Sequence, residues 1–155
     1  MKLRRIAIAL FVLILPGSLI AQPQIQTVAG WRITSGGTSD GGRFVRLSRN
    51  GRGYRLVHYL EFWRGNNGVA IAANFRRDAC RSGDAEGMIP TEQALSRATF
   101  DMRLAGYLRE CPLARGEAVA LRRSLNAAWP RFLARARRAL AATEAENRAI
   151  ENYGR

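Results

Sequence analysis

His58 is the only histidine among 155 residues, so acid–base chemistry near neutral pH has one place to start. It sits in the run Tyr54–Trp63, whose even positions Tyr54, Leu56, His58, Leu60 and Phe62 would share one face of a strand. Glu61, three residues on, falls on the other face, and no local histidine–carboxylate dyad exists. A carboxylate brought from elsewhere, Asp78, Asp84 or Glu86, would complete a secreted ribonuclease-like phosphodiester hydrolase with arginines steadying the phosphate. The plainer reading of a histidine between two leucines is a half-buried strand residue with a hydrogen-bond partner. That reading is preferred, and the chain is read as a binding or structural protein with His58 catalytic only in the alternative.

Other chemistries have less to work with. The chain holds 24 arginines and a single lysine, Lys2. Once the N-terminus is removed, no lysine remains for a Schiff base, a Walker loop or a Ser-Lys pair. Two cysteines and one histidine are too few for a four-ligand structural zinc site, and Asp84 with Glu86 makes a poor calcium site. Neither a metal nor a cofactor is expected. Cys80 and Cys111 lack the short spacing of a redox motif and are read as one disulfide, closing a loop of about 30 residues.

What the chain has in quantity is positive charge, +13 at neutral pH. Between Glu117 and Leu140, apolar residues recur at steps of three and four from Ala118 through Leu121, Leu125, Trp129, Phe132 and Ala136. Arginines fill the rest of that circumference. Arg122, Arg131, Arg135 and Arg138 are the candidate anion-binding residues, either on a lipid surface or simply facing water above a buried stripe. Trp31, Arg43, Arg55, Tyr59 and Trp63 interleave cations with rings earlier in the chain, a mixture that suits phosphates and acidic polysaccharides. The partner class is an anionic envelope component: lipid head groups, a polyanionic glycan or an acidic protein. Export argues against nucleic acid.

Export itself is read from the first 21 residues. Lys2, Arg4 and Arg5 precede the apolar run Ile6–Leu15, Pro16-Gly17-Ser18 breaks it, and Ala21 offers a small residue for cleavage. The run is too short to span a bilayer, so no transmembrane segment is expected after cleavage. Losing those three cations takes the formal charge from +13 to +10. The expected location is periplasmic or secreted, in a bacterium.

The elements that must position these residues read as strands first and helices after. Gln26–Thr34 is expected as one strand, followed by an eight-residue loop of turn formers, Ser35–Gly42. Arg43–Arg49 alternates around Val45 and Leu47, and Asn50-Gly51-Arg52-Gly53 turns the chain into Tyr54–Trp63. Gly65-Asn66-Asn67-Gly68 returns it through Val69–Phe75, and Arg81–Ile89 is expected as a polar loop. Thr91 is expected to cap a helix ending near Cys111, with Leu95, Ala98, Met102 and Ala105 as one stripe and Phe100, Leu104 and Tyr107 widening it. Pro130 should kink or divide the second helical stretch. The fold class is α+β: an antiparallel β-meander of about four strands, then two or three helices on one face, with a single disulfide. The domain boundaries are a signal at 1–21, one domain at 22–142 and a polar, fraying tail at 143–155.

Overall fold

The computed structural model describes residues 22–63, 68–77 and 80–153. The expected secretory segment, most of the turn at 65–68, and Asp78 lie outside the described residues. The α+β order is as expected. Six strands, β1 (Gln24–Val28), β2 (Trp31–Gly37), β3 (Arg43–Gly51), β4 (Tyr54–Phe62), β5 (Gly68–Arg77) and β6 (Cys80–Pro90), form one antiparallel sheet in sequence order. Helices α1 (Thr91–Ala94), α2 (Arg97–Glu110) and α3 (Arg115–Tyr153) follow, and all three lie against one face. The meander is longer than the residue pattern alone suggests. The expected first strand is a hairpin, and the expected polar loop at 81–89 is the edge strand β6.

The β1–β2 turn explains the first difference. Ala29 and Gly30 have φ of 48° and 79°, the two-residue geometry whose twist matches that of paired strands. Alanine is an uncommon residue there, because its Cβ crowds the backbone in the left-handed region at about 1–2 kcal/mol. Ala29→Asn, which makes the turn Asn-Gly, is therefore expected to raise the unfolding free energy by about 0.5–1 kcal/mol. A denaturant midpoint that stays put or falls would contradict that geometry.

Strand alternation places the core as the sequence implies. Tyr54, Leu56, His58, Leu60 and Phe62 are all buried, while Arg55, Val57, Tyr59 and Glu61 face the other way and are exposed or half-buried. Val45 and Leu47 of β3 and Trp31 and Ile33 of β2 join that buried face through register. At the β3–β4 turn the Tyr54 ring lies so close over Gly51 that a Cβ there would fall 1.9 Å from it. Only glycine fits.

Helix α2 buries only part of the broad apolar arc expected of it. Phe100, Leu104 and Tyr107, expected to widen the stripe, are the inward residues, whereas Met102 of the stripe itself is 68% exposed. Rings and leucines remove more area from water than alanines do, and they decide the rotation. The helical stretch from Thr91 is also divided. Pro90 precedes a four-residue turn without a side-chain cap, and Ser96 caps α2 by accepting from the Thr99 amide at 3.4 Å.

Proline 130 does not divide the last helix. α3 runs continuously through it, with Leu125, Ala128 and Trp129 buried before it and Phe132 and Ala136 after it. Packing on both sides holds the helix through the lost backbone donor. The polar tail is helical too, to Tyr153, with Thr143 buried and Glu146 paired to Arg43. The indole of Trp31 donates to Ser124 Oγ at 2.9 Å and ties β2 to α3. Cys80 and Cys111 are bonded, joining the start of β6 to the end of α2.

Candidate anion-binding site

Arg131, Arg135 and Arg138 follow each other at i, i+4 and i+7, so α3 carries them along one flank, beside its buried stripe. Arg122, nine residues before Arg131, is half a turn away at about 100° per residue. It is exposed on the opposite flank and does not join the group. Of the other three, Arg135 and Arg138 stand at the ends of β1, β2 and β3, whereas Arg131 is exposed and does not reach them.

There Arg135 is partly committed to the fold. Its Nη1 donates to the carbonyl of Gln24 and to Ser35 Oγ, both at 3.0 Å. Beside it opens a cleft of about 200 Å³, walled by Arg135, Arg138 and the small residues Ala139 and Ala142 of α3. Gly36, Gly37, Arg43 and Phe44 form the sheet side. A larger side chain at Gly36 would press on the Phe44 ring, whose nearest atom lies 3.0 Å from an added Cβ.

Arg43 enters this cleft from β3, on the same strand face as Val45 and Leu47, and pairs with Glu146. Its Nε is buried with no hydrogen-bond partner. Arg138 has neither ion pair nor hydrogen bond among the described residues, and Arg131 is exposed one turn before Arg135. Three guanidinium groups against one carboxylate leave the cleft positive. An oxyanion with two oxygens to offer side by side, such as a carboxylate, phosphate or sulfate, suits guanidinium donors at such a site.

His58 stands elsewhere and differently. It is 1% exposed, enclosed by Phe100 at 4.9 Å, Phe132 at 5.6 Å and Trp129 at 6.4 Å between ring centroids. Both ring nitrogens lack hydrogen-bond partners, so the partner expected for a strand histidine is missing. Burial pushes its pKa down to about 3, and the nearby Arg103 adds to the fall. The imidazole is neutral at physiological pH. Of the carboxylates considered for it, Asp84 and Glu86 lie on β6, two strands away in the sheet.

Gly37-Thr38-Ser39-Asp40-Gly41 has the G-x-S-x-G spacing of a nucleophile elbow, a likeness in letters only. It forms the connection between two antiparallel strands rather than a strand-to-helix turn. The Thr38 hydroxyl donates to the Asp40 carboxylate and holds the Asp40 pKa below the usual carboxylate range. The interleaved aromatics are also sorted by the sheet. Trp31 faces the helices with Arg49 at 5.8 Å from its ring, while Tyr59 lies on the opposite face, stacked on Phe44. Burial and the neighbouring Glu61 push the Tyr59 hydroxyl pKa up.

Among the described residues there is no group of three or more His, Cys, Asp or Glu side chains placed to hold a metal ion. None of their helices is long and apolar enough to cross a membrane. No family model, curated protein or solved structure matches the chain.

Proposed function

We propose that the protein is an exported anion-binding module of the bacterial envelope, and that the cleft between α3 and the sheet receives an acidic group of its partner. The observation that carries this reading is the convergence of Arg138, Arg135 and Arg43 on one positive cleft kept open by Gly36, Gly37, Ala139 and Ala142. Export rests on the charged and apolar start of the sequence, and the Cys80–Cys111 bond suits an oxidising compartment. The hydrolase alternative would need His58 within hydrogen-bond reach of a substrate. A ring 1% exposed gives that alternative no support.

Calorimetric titration with inorganic phosphate and with a sulfated disaccharide tests the cleft. A charge-assisted hydrogen bond contributes about 1.5–3 kcal/mol, so Arg138→Ala is expected to weaken binding by roughly tenfold or more. Arg122→Ala, on the opposite flank, should leave it unchanged. Equal affinities for wild type and Arg138→Glu would overturn the proposal.

A further inference from the structure

The sheet face turned away from the helices carries one arginine from each of five successive strands. Register places Arg32 of β2, Arg46 of β3, Arg55 of β4, Arg76 of β5 and Arg81 of β6 together on it. Arg55, Arg76 and Arg81 stand directly opposite one another across three strands. Neighbouring strands are about 4.8 Å apart, and like charges in opposed positions destabilise a sheet. Such a row works against folding unless an anion meets it.

No side chain of these five arginines makes a hydrogen bond or ion pair among the described residues. Thr34 Oγ1 and Arg46 Nε, on opposed residues of the same face, are buried without hydrogen-bond partners. Among the described side chains the acidic counterweight is small. Glu61 accepts from the Tyr59 hydroxyl at 2.9 Å, and Asp40 from the neighbouring connection adds to the negative field there.

The same face exposes apolar side chains at its margins. Ile25 of β1 is 62% exposed and Met88 of β6 is 51% exposed, and register sets both on this side. Trp63, two residues beyond Glu61, is 41% exposed. From these features we infer that the open sheet face docks flat on an anionic lipid bilayer. The arginines meet lipid phosphates, and Ile25 and Met88 enter the headgroup boundary.

Three observations favour a bilayer over an anionic polymer. The five cations spread over four strand spacings, about 19 Å, in one layer rather than along a groove. Exposed Ile25 and Met88 gain from a lipid boundary and have nothing to meet on a glycan or nucleic acid. Tyr59 and Phe44 stack on each other with centroids 5.7 Å apart, which leaves neither ring fully open for a base. This face is separate from the α3 cleft, and either can fail without the other.

Sedimentation with phosphatidylglycerol-containing and with pure phosphatidylcholine vesicles tests the inference, using the protein as its host produces it. Binding is expected to anionic vesicles alone and to weaken as salt rises. Removing Arg55, Arg76 and Arg81 together as alanines should lower partitioning about a hundredfold, at about fivefold per arginine. The same triple variant should melt no lower than wild type, since it relieves like-charge opposition, and melting separates loss of docking from loss of fold. Arg138→Ala should leave vesicle binding intact, and the triple variant should leave phosphate binding in the cleft intact. Equal binding to both vesicle types, or full binding by the triple variant, would overturn the inference. Arginine-dependent binding to heparin or RNA with none to vesicles would overturn it as well.

Discussion

His58→Leu is expected to make the protein less sensitive to acid than the wild type, with the two stability curves diverging as pH falls below about 6.5. In the folded chain the imidazole is sealed beneath Phe100, Trp129 and Phe132 with both nitrogens unpartnered, and its pKa is about 3 against an ordinary 6.5. Above pH 6.5 the ring is neutral whether the chain is folded or not, and it makes no pH-dependent contribution. Below that, the unfolded chain binds a proton the folded chain refuses, and stability falls by about 1.4 kcal/mol per pH unit until pH approaches 3. Between pH 7.5 and 5 the loss is about 2 kcal/mol. Leucine has similar bulk and no proton to bind, so this slope disappears in the variant. Denaturant unfolding at several pH values reads the difference directly. Curves that run parallel from pH 7.5 to 5 would mean that the ring is reached by water or paired in solution. Phosphate binding in the cleft should survive the substitution, because His58 does not line it.

The alternation that buries His58 is legible in the sequence, and so are the meander, the helices after it and the cysteine pair. Period two from Tyr54 to Phe62 is unbroken, and a strand with five apolar-compatible residues on one side has one sensible orientation. The β1–β2 turn was hidden because Ala29 is not a turn-forming residue and the residues around it are good strand formers. β6 was hidden for the opposite reason. Its sequence, rich in glycine and acids at 83–87, reads as a loop, yet its backbone pairs with β5 across a bulge between Ile71 and Ala73. Ladder hydrogen bonds come from the main chain and leave no side-chain signature. The arginine flank was legible as helical spacing at 131, 135 and 138. Its partner Arg43 stood out as one of the cations interleaved with rings in the sheet, not as a neighbour of the helix, and no local rule brings residue 43 beside residue 138. Helix docking does that. Arg122 shows the converse: closeness of type and sequence without closeness in space. The row Arg55, Arg76 and Arg81 depends on two registers at once, which are set by turns and pairing rather than by the arginines.

Breaking the Cys80–Cys111 bond is expected to have the largest effect of any change away from the central core. The two residues are 31 apart in sequence, and closing a loop of that length restricts the unfolded chain by about 3–4 kcal/mol. The bond also acts where the fold has little else. β6 is an edge strand whose one sheet neighbour among the described strands is β5, and α2 packs on it together with the short α1. Besides the disulfide, Ser82 and Glu110 join the same two elements by a hydrogen bond among the described residues. That hydrogen bond is too weak to replace the covalent link, at about 1.5–3 kcal/mol when one partner is charged and less when water competes. Cys80 is the better position to alter, because Cys111 is 1% exposed and a serine there would bury a hydroxyl as well. Cys80→Ala should lower the melting temperature by on the order of 10 °C, and reductant should bring the wild type down to the same value. The variant itself should not respond to reductant. A wild type that melts at one temperature with and without reductant would show that the link contributes nothing, and β6 would then have to be held to α2 by packing and the Ser82–Glu110 hydrogen bond.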